Sequence, residues 1–471
     1  MELAGKQIAV LGVGESGRAA AALLKKHGAI VRVLDSGSGP SLEESAALLR
    51  NAGMPVELGA QALADRQPYD FAVVSPGIDP RSELFSGLLA RGIRCMGELE
   101  LAYQFCKCPV IGITGTNGKT TTTQLVERML NGAGLRTVAA GNIGPAFSSR
   151  VEQSADLDVM TLEVSSFQLE RVEQFRARVA VWLGFAADHL DRYSSLEEYR
   201  AAKLRIFERQ SEADHAVVNL RSELPPLAAQ RITFSAYRAG GDFEYREDAI
   251  WFRGDRLLGL DETRLRGLHN VENLMAALGV GVALGVHPGV LVGPLREYAP
   301  LPHRCEWIRQ VDGVDWVNDS KGTNPDSVEK ALESENRPVV LIAGGKDKGF
   351  EFDALTDLVS ARCRAAVVLG EMAGRIEALW GSRVRCRNAG RSLEQAVALA
   401  REEARPGDVI LFSPGTSSFD MFRNYADRGD QFRRLVHALV PSHTFSAAGS
   451  PTSEPVPAVD AAPGSQSIHH T

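Results

Sequence analysis

The stretch Thr114-Gly115-Thr116-Asn117-Gly118-Lys119-Thr120 follows directly after the apolar run Val110–Ile113. In a turn of this kind between a strand and a helix, backbone amides cradle phosphate, a lysine reaches the terminal phosphates and a threonine hydroxyl binds Mg²⁺. Ile113 stands where the strict phosphate loop has its first glycine, and a turn that only packs a helix on a strand is the alternative. Gly-Lys-Thr at a helix start favours phosphate binding over that alternative.

A second glycine-rich turn, Gly12-Val13-Gly14-Glu15-Ser16-Gly17, lies near the start of the chain, and Asp35 ends the next strand-like run. This pattern fits the dinucleotide fingerprint, in which the acid reaches a ribose hydroxyl. A nicotinamide enzyme and a simple packing turn both remain open, because the pattern does not identify the base. Two phosphate-binding turns nevertheless disfavour a simple dehydrogenase. They indicate one nucleotide carried by a substrate and another used as an energy source.

Length and composition limit the class of protein. The 471 residues leave room for roughly two to four domains. The 52 basic and 59 acidic side chains give a net charge of −7, which argues against nucleic-acid binding because that needs a concentrated basic face. No apolar run approaches the roughly 18 residues of a membrane span, and no secretory leader is expected.

The six cysteines are scattered along the chain, a pattern typical of reduced thiols in a cytoplasmic protein. Cys106-Lys107-Cys108 lacks a second ligand pair at zinc spacing, so we expect these cysteines to pack rather than bind metal.

Strand-like apolar runs alternate with helical patterns along the chain, which predicts an α/β fold with mostly parallel sheets. Boundaries are expected around Gly97–Pro109 and Pro300–Arg304. The last residues, from Ser442, are rich in Ser, Pro and Ala and are expected to be a disordered tail. The predicted strands are Ile8–Gly12, Ile30–Asp35, Phe71–Pro76, Val110–Thr114, Val159–Glu163, Val179–Leu183, Val339–Ala343, Ala365–Gly370 and Val409–Ser413.

Several polar residues stand where strands or helices are expected to place them near the phosphate loop. Glu163 ends a strand-like run and is positioned to bind Mg²⁺, although a lone strand-end acid is commonly structural. The spacing around Lys203 predicts a solvated lysine on a helix. Asn270 and Asn273 share one helical face and bracket an adenine or pin a loop.

Taken together, ordered motifs over roughly residues 5–440 resemble the Mur ligase family. They are Gly115-Thr116-Asn117-Gly118-Lys119-Thr120, Gly141-Asn142-Ile143-Gly144, Glu163-Val164-Ser165-Ser166-Phe167-Gln168-Leu169-Glu170, Asp188-His189-Leu190-Asp191-Arg192-Tyr193, Tyr199–Arg205, His269-Asn270, Leu301-Pro302-His303-Arg304 and Asn318-Asp319-Ser320-Lys321.

This resemblance implies three α/β domains and a tail. The expected domains are a Rossmann-like domain for the uridine diphosphate (UDP) substrate at 1–98, a central phosphate-loop ATPase and ligase domain at 99–302, a Rossmann-like amino-acid-binding domain at 303–441, and the tail at 442–471. The implied reaction is ATP-dependent amide synthesis in peptidoglycan precursor formation. D-glutamate is added to UDP-N-acetylmuramoyl-L-alanine through an acyl phosphate, with release of ADP and phosphate.

The resemblance also implies roles for individual residues. Lys119, His189 and Lys203 are the expected catalytic residues. Two Mg²⁺ ions are expected, one on Thr120 and Glu163 and the other on His189 and a carbamylated Lys203. The expected ATP-binding residues are Gly115, Thr116, Asn117, Gly118, Lys119, Thr120, Thr121, Asn270, Asn273, Arg304, Asp319 and Lys321. Gly14, Glu15, Ser16, Asp35, Gly77, Asn142 and His189 are expected at the UDP substrate, and Thr323, Lys348, Ser418 and Phe419 at glutamate.

Three positions depart from the pattern of the family. Gly184 stands where relatives often carry Asn, Ala187 replaces an acid before Asp188, and Glu15 replaces an apolar residue near the expected uracil site. We expect a cytoplasmic monomer that takes small-molecule substrates and neither binds nucleic acid nor enters a membrane. The alternatives are a folylpolyglutamate synthase or neighbouring Mur enzyme, a nicotinamide-dependent oxidoreductase, and a regulatory protein that has lost catalysis.

Overall fold

A computed structural model describes residues 1–189, 192–265, 267–298, 302–335, 337–349 and 351–441. Three separate sheets follow one another along the chain, each covered by helices, so the predicted α/β fold class is confirmed. All of the strands predicted from the sequence are present, with ends that differ by at most two residues. The predicted tail at 442–471 lies outside the described residues. Within the described ranges, no helix is both long enough and apolar enough to cross a membrane.

The first sheet is wholly parallel and has the strand order β3-β2-β1-β4-β5. Because β1 lies between β2 and β4, the loops that follow these three strands meet at one edge of the sheet. The strands are β1 Gln7–Leu11, β2 Ile30–Asp35, β3 Val56–Leu58, β4 Phe71–Val74 and β5 Cys95–Gly97; the helices are α1 Glu15–Lys26, α2 Pro40–Asn51, α3 Ala60–Leu63, α4 Glu83–Ala90 and α5 Glu98–Tyr103.

The central sheet has nine strands in the order β14-β13-β12-β11-β10-β9-β6-β8-β7. Its apolar, fully buried β6 lies inside the sheet, between β8 and β9. The strands are β6 Val110–Thr114, β7 Ala139–Gly141, β8 Met160–Glu163, β9 Val179–Trp182, β10 His215–Asn219, β11 Gln230–Ser235, β12 Phe243–Arg246, β13 Ala249–Phe252 and β14 Asp255–Gly259; the helices are α6 Lys119–Gly132, α7 Phe147–Arg150, α8 Ser166–Leu169, α9 Leu196–Leu204, α10 Leu268–Ala283 and α11 Pro288–Arg296.

The third sheet has six strands in the order β15-β16-β20-β17-β18-β19, and only β15 is antiparallel to its neighbour. The strands are β15 Glu306–Val311, β16 Val314–Asn318, β17 Val339–Gly344, β18 Cys363–Leu369, β19 Arg385–Asn388 and β20 Val409–Phe412; the helices are α12 Pro325–Glu333, α13 Thr356–Arg362, α14 Ala373–Trp380, α15 Leu393–Glu403 and α16 Tyr425–Ala438.

The antiparallel strands β12–β15 were not predicted. β12, β14 and β15 are partly exposed and carry charged residues, so they lack the continuous apolar runs of the buried parallel strands. β13 is apolar, but it is only four residues long and charged residues flank it.

The three glycines of the first glycine-rich turn differ in what the structure requires at their positions. Gly12 has a φ of +99°, and a Cβ there would lie 2.8 Å from Ser75 Oγ. A Cβ on Gly17 would lie 1.9 Å from the carbonyl oxygen of Gly12, so this glycine lets α1 pack against the turn. Gly14 has no neighbour within 4 Å of an added Cβ. Gly12 and Gly17 therefore serve the fold, and Gly14 leaves open space beside the start of α1.

We expect Gly17→Ala to destabilise the N-terminal domain by about 1 to 3 kcal/mol, because the new methyl group clashes with backbone. Gly14→Ala is the matched control in the same turn and should cost less than about 1 kcal/mol. Thermal unfolding of both variants measures the difference. Equal unfolding midpoints for the two variants would contradict the packing role of Gly17.

Candidate active site

The phosphate loop lies at the carboxyl end of β6. In the register of the sheet, Ile113 pairs with Glu163, so the end of β8 lies beside the start of the loop. Gly115 and Gly118 have φ values of +152° and +84°, which favour glycine. A Cβ on Gly118 would also lie 2.3 Å from Asn273 Oδ1. The loop is thus held against α10 at a distance that only glycine permits.

Two lysines meet inside this loop. Lys119 Nζ donates hydrogen bonds to the carbonyl oxygens of Gly115 at 3.0 Å and Thr116 at 2.8 Å. Lys203 Nζ donates to the same Gly115 oxygen at 2.9 Å. Burial lowers the pKa of both amines, and that of Lys203 falls well below its usual value. The amines of Lys119 and Lys203 therefore share one carbonyl oxygen as hydrogen-bond acceptor, in the loop where phosphate is expected to bind.

Lys203 is 1% exposed, so the interpretation of a solvated lysine is wrong. The helix α9 that carries it packs on α8 and the loops of the central sheet, and Lys203 Nζ lies 4.8 Å from the centre of the Tyr199 ring. Spacing along a helix does not reveal which face is covered by another part of the chain.

Glu163 is buried at the end of β8 and accepts a hydrogen bond from Asn142 Nδ2 at 2.9 Å. The Asn142 backbone N–H also donates to the Glu163 carbonyl oxygen, at 2.9 Å. A residue expected at the substrate and a residue expected at a metal ion are therefore direct neighbours. The negative charge of Glu163 acts on Lys119 and Lys203 and partly offsets their desolvation.

His189 follows β9 and has a φ of 57°. Its backbone N–H donates to Asp188 Oδ1 at 2.8 Å, and its ring packs 4.7 Å from that of Phe167. Burial lowers the pKa of His189, and the positive charges of Lys348 and Lys119 lower it further. A neutral imidazole is the form that binds a metal ion.

The four expected metal ligands provide hard oxygen and imidazole donors. Thr120 and Glu163 are buried beside Lys119, and His189 and Lys203 lie close enough for their charges to interact. Among the described residues, no group of three His, Cys, Asp or Glu side chains could hold a metal ion. This sparse donor set fits Mg²⁺, which commonly uses one or two carboxylates and completes its shell with phosphate and water. Lys203 fits only as a carbamate, because an amine here donates hydrogen bonds.

A cleft extends from the phosphate loop between the central and third domains. Asn273 Nδ2 donates to Asn270 Oδ1 at 3.2 Å, so the two amides do share one face of α10. The predicted ATP-binding residues that line the cleft are Asn117, Gly118, Thr121, Asn270, Asn273, Arg304, Asp319 and Lys321. The other four, Gly115, Thr116, Lys119 and Thr120, belong to the adjoining loop and the start of α6.

Two cations enter this cleft from the start of the third domain. Arg304 Nε is buried and has no hydrogen-bond partner within the described part of the chain. Burial and the nearby charge of Arg304 lower the pKa of Lys321 to about 7. Lys321 Nζ donates to the Tyr425 hydroxyl at 3.2 Å. Both groups are positioned to receive an anionic ligand.

Other residues that line the cleft were not predicted from the sequence: His269, Glu272, Cys305, Ser327 and Lys330. Glu272 lies between Asn270 and Asn273 on α10, so its place in the helix could have predicted that it lines the cleft. Ser327 and Lys330 lie on α12 of the third domain, and no local pattern indicates that this helix reaches the phosphate loop.

The contact of α12 with the loop is direct. Ser327 Oγ donates to Asn117 Oδ1 at 3.1 Å, and Asn324 Nδ2 donates to Asp188 Oδ2 at 3.2 Å. Asn324 is also the N-cap of α12, since its side chain accepts from the Ser327 backbone N–H. One capping residue thereby connects the helix start to the central domain.

Apart from His189, the residues expected at the UDP substrate lie at the ends of β1, β2, β4 and β7 or in the segments that follow them. Gly14, Glu15 and Gly77 are exposed, and Ser16 is half-buried in the first turn of α1. Asp35 accepts hydrogen bonds from the backbone N–H groups of Val13 at 3.0 Å and Gly37 at 2.9 Å. Its carboxylate therefore holds the glycine-rich turn in place, a role that its sequence position alone does not distinguish from ribose binding.

The residues expected at glutamate lie on loops of the third domain. Lys346 pairs with Ser417 in an isolated bridge, which brings the loop of Lys348 beside that of Ser418. Ser418 is buried, Thr323 and Lys348 are half-buried, and Phe419 is 67% exposed. Lys348 is close enough for its charge to act on His189.

Arg428, which was not predicted from the sequence, holds these loops together. It is fully buried on α16 and donates to Ser320 Oγ at 3.0 Å, to the Ser320 carbonyl at 2.8 Å and to the Thr416 carbonyl at 3.1 Å. An arginine inside a helix carries no local signal of burial.

Three family models match the chain. They are described as the N-terminal domain of MurD-like Mur ligases at residues 6–97, the Mur ligase middle domain at 113–281, and the glutamate ligase domain of Mur ligases at 303–415.

Similar proteins include the UDP-N-acetylmuramoylalanine--D-glutamate ligase of Pelotomaculum thermopropionicum, 39% identical over 92% of this chain and 98% of that one. The ligase of the same name from Salinibacter ruber is 41% identical over 92% and 97%. Among solved structures, a UDP-N-acetylmuramate-alanine ligase from Thermotoga maritima has a TM-score of 0.60 at 17% identity, covering 92% of this chain and 99% of that chain. A MurF from Acinetobacter baumannii has a TM-score of 0.59 at 17% identity, covering 86% and 90%. The likeness to the solved structures is one of fold.

We expect Lys203→Met to raise the thermal stability of the protein at pH 7 in bicarbonate-free buffer. The pKa of Lys203 is lower in the folded protein than in the unfolded chain, so unfolding takes up a proton and stability rises with pH up to about 10.5. Methionine removes this penalty, and its advantage should therefore shrink between pH 7 and pH 9.5. Lys26→Met is the control, since the Lys26 side chain is 65% exposed. Thermal unfolding at both pH values tests this, and an advantage that grows with pH would contradict the buried amine.

Proposed function

The chain belongs to the Mur ligase family, and we propose that it joins D-glutamate to UDP-N-acetylmuramoyl-L-alanine in a reaction driven by ATP. The observation that carries this proposal is the meeting of Lys119 and Lys203 at the Gly115 oxygen beside Glu163, at the mouth of a cleft lined by eight of the predicted ATP-binding residues. The identity of 39% over 92% of the chain to a ligase of that name supports the choice of substrate.

The chemistry requires activation, because a carboxylate is a poor electrophile and its oxygen a poor leaving group. The carboxylate of the alanyl substrate attacks the γ-phosphate of ATP and gives an acyl phosphate and ADP. The amine of D-glutamate then attacks the acyl carbon, an amide bond forms and phosphate leaves. The protein has to position the reactants and stabilise the charge on the transferred phosphoryl group.

Lys119 is proposed to stabilise that charge. Its amine lies inside the phosphate loop, and its pKa is lowered by burial in the ligand-free site. A bound triphosphate would favour the protonated form, because an opposite charge within a few ångströms raises the pKa of an amine. Arg304 and Lys321 would act on the phosphates from the third-domain side in the same way.

Two Mg²⁺ ions are part of the proposal, one held by Thr120 and Glu163 and the other by His189 and carbamylated Lys203. When bound, they would neutralise charge on the triphosphate and the phosphoryl group. A carbamate forms when a neutral amine attacks carbon dioxide and a proton leaves the nitrogen. The low pKa of Lys203 supports this step, because it increases the neutral fraction of the amine near pH 7. Carbamylation also replaces a buried cation by the anion that a metal ion requires.

D-glutamate is proposed to bind between Lys348 and the loop of Ser418 and Phe419, with Thr323 nearby. Lys348 would pair with a carboxylate of the amino acid, and its proximity to His189 supports a position next to the reacting carbonyl. Asn142 would contact the muramoyl part of the other substrate. Gly14, Glu15, Ser16, Asp35 and Gly77 would surround its uridine diphosphate end, so the substrate would extend from the first domain into the central one.

We further infer that the enzyme acts as a monomer in the cytoplasm, where its product enters peptidoglycan synthesis and so supports cell shape and division. All six cysteines are free thiols in the structure, which supports a reducing compartment.

Phosphate release from ATP is expected only when UDP-N-acetylmuramoyl-L-alanine, D-glutamate and Mg²⁺ are all present. Coupled measurement of phosphate, with each component omitted in turn, tests the proposal. L-glutamate is the matched control for the amino acid. Phosphate release that is indifferent to the amino acid would contradict a ligase, and reduction of NAD by the protein would support an oxidoreductase instead.

Lys203→Ala is expected to lower turnover by on the order of 10²–10³-fold, because it removes the proposed carbamate ligand. A short carboxylate such as acetate should restore part of the activity by occupying the space left by the side chain. Chloride at the same ionic strength is the control. Full activity of the alanine variant without added carboxylate would contradict the carbamate.

A further inference from the structure

His269 lies in the first turn of α10 and lines the cleft beside Asn270. Its side chain is half-buried, and its Nδ1 lies 3.0 Å from Oγ of Ser334, the residue that ends α12. Within the described ranges of the chain, Nε2 of His269 has no hydrogen-bond partner. One ring nitrogen is therefore held by the third domain, and the other remains for a ligand in the cleft.

The direction of these hydrogen bonds determines which ring nitrogen carries the proton. Ser334 Oγ donates its only hydrogen to the Lys330 carbonyl oxygen at 2.6 Å, so the hydroxyl acts as an acceptor towards His269. Nδ1 is then the protonated nitrogen. Burial and the positive charges of Lys330 and Arg304 lower the pKa of His269 to about 4, so at pH 7 the ring is neutral and has a single N–H. Nε2 is consequently a hydrogen-bond acceptor.

The contact between His269 and Ser334 depends on Gly267, which has a φ of +84°. A Cβ on Gly267 would lie 2.4 Å from Ser334 Oγ and 2.9 Å from His269 Cε1. The missing side chain therefore lets the end of α12 approach the start of α10 closely enough for the hydrogen bond.

Neighbouring polar side chains on α10 are engaged within the protein. Asn273 Oδ1 accepts from Thr122 Oγ1 at 3.2 Å, and Asn273 Nδ2 donates to Asn270 Oδ1 at 3.2 Å. The carboxylate of Glu272 accepts from Asn219 Nδ2 at 2.9 Å. The imidazole thus differs from these neighbours, because its acceptor nitrogen is not used by the fold.

The distance along α12 indicates which part of a nucleotide reaches His269. Ser327 contacts Asn117 of the phosphate loop, and Ser334 contacts His269. Seven residues separate the two contacts, which corresponds to about 10 Å at roughly 1.5 Å per residue. A nucleotide with its phosphates in the loop would place its ribose, and then its base, along this span. The base is therefore the part that meets the imidazole.

We propose that Nε2 of His269 accepts a hydrogen bond from the exocyclic 6-amino group of adenine, and that this bond makes the site select ATP over GTP. The inference rests on the proposed use of ATP and adds the group that distinguishes its base. Guanine carries a carbonyl oxygen at the same ring position, and this oxygen would face the Nε2 lone pair with no proton between them. His269 determines base specificity through binding and takes no part in phosphoryl transfer.

Isothermal titration calorimetry on the full-length protein, with Mg²⁺ and without the other substrates, measures the affinity for each nucleotide. Purine riboside triphosphate differs from ATP only by the absence of the 6-amino group. We expect the unchanged protein to bind ATP about five- to tenfold more tightly than this analogue, and GTP more weakly than ATP by at least as much. 2′-Deoxy-ATP should bind like ATP, because the ribose hydroxyl is not the proposed donor.

Variants assign the preference to the imidazole. His269→Phe keeps an aromatic ring and removes the acceptor, so this variant should bind ATP and purine riboside triphosphate equally well. Ser334→Ala removes the group that fixes the proton on Nδ1 and should weaken the preference for ATP. His437→Phe, at an exposed position of α16, is the matched control and should keep the full preference.

Each preference is a ratio of two affinities measured on one protein, so a lower folded fraction in a variant does not imitate the expected result. Equal binding of ATP and the analogue by the unchanged protein would overturn the role of His269, as would a preference that survives in His269→Phe. A loss of affinity for 2′-deoxy-ATP that His269→Phe abolishes would assign Nε2 to the ribose and also overturn the proposal. Failure of every nucleotide to bind would overturn the proposed use of ATP, and this inference with it.

Discussion

Lys119 and Lys203 donate hydrogen bonds to one carbonyl oxygen, that of Gly115, and the rest of the site is arranged around this concentration of amines. Two protonated amines this close in a buried place repel each other, and burial penalises each of them further. The protein offsets part of that penalty with the carboxylates of Glu163 and Asp188. A bound polyphosphate would offset more of this electrostatic penalty. The unfavourable charge interactions of the ligand-free site would therefore favour the binding of an anionic ligand.

The third domain completes the site through a small number of polar contacts. Asn324 caps α12 and reaches Asp188, while Ser327 reaches Asn117 of the phosphate loop. Within the third domain, buried Arg428 connects the segment of Ser320 with the loop of Thr416. The segment that carries residues proposed for ATP and the loop that carries residues proposed for glutamate are thus connected by the same side chain. The cleft therefore depends on how domains meet as well as on the phosphate loop itself.

The two glycine-rich turns show which structural features a local sequence pattern predicts and which it does not. Both were identified from the sequence, because glycines at fixed offsets from an apolar strand reflect steric limits that hold in any context. Their polar partners were harder to interpret. In the first turn, the Asp35 carboxylate accepts hydrogen bonds from the backbone N–H groups of Val13 and Gly37. Beside the second turn lies Gly184, which departs from the family pattern. Gly184 has a φ of +148°, and its carbonyl oxygen accepts a hydrogen bond from the Thr116 N–H at 3.0 Å. The position of a side chain in a motif does not show whether that side chain binds a ligand or stabilises the loop.

The sequence by itself determined the alternation of buried strands and helices, the two glycine-rich turns and the shared face of Asn270 and Asn273, because these follow from periodicity and from the backbone limits of glycine. Only the tertiary structure decided that Lys203 is buried and that α12 contacts the phosphate loop. Each of these depends on groups from distant parts of the chain that exclude water or supply a hydrogen bond. Burial and pKa are properties of such an assembled environment, and no local stretch of sequence contains it.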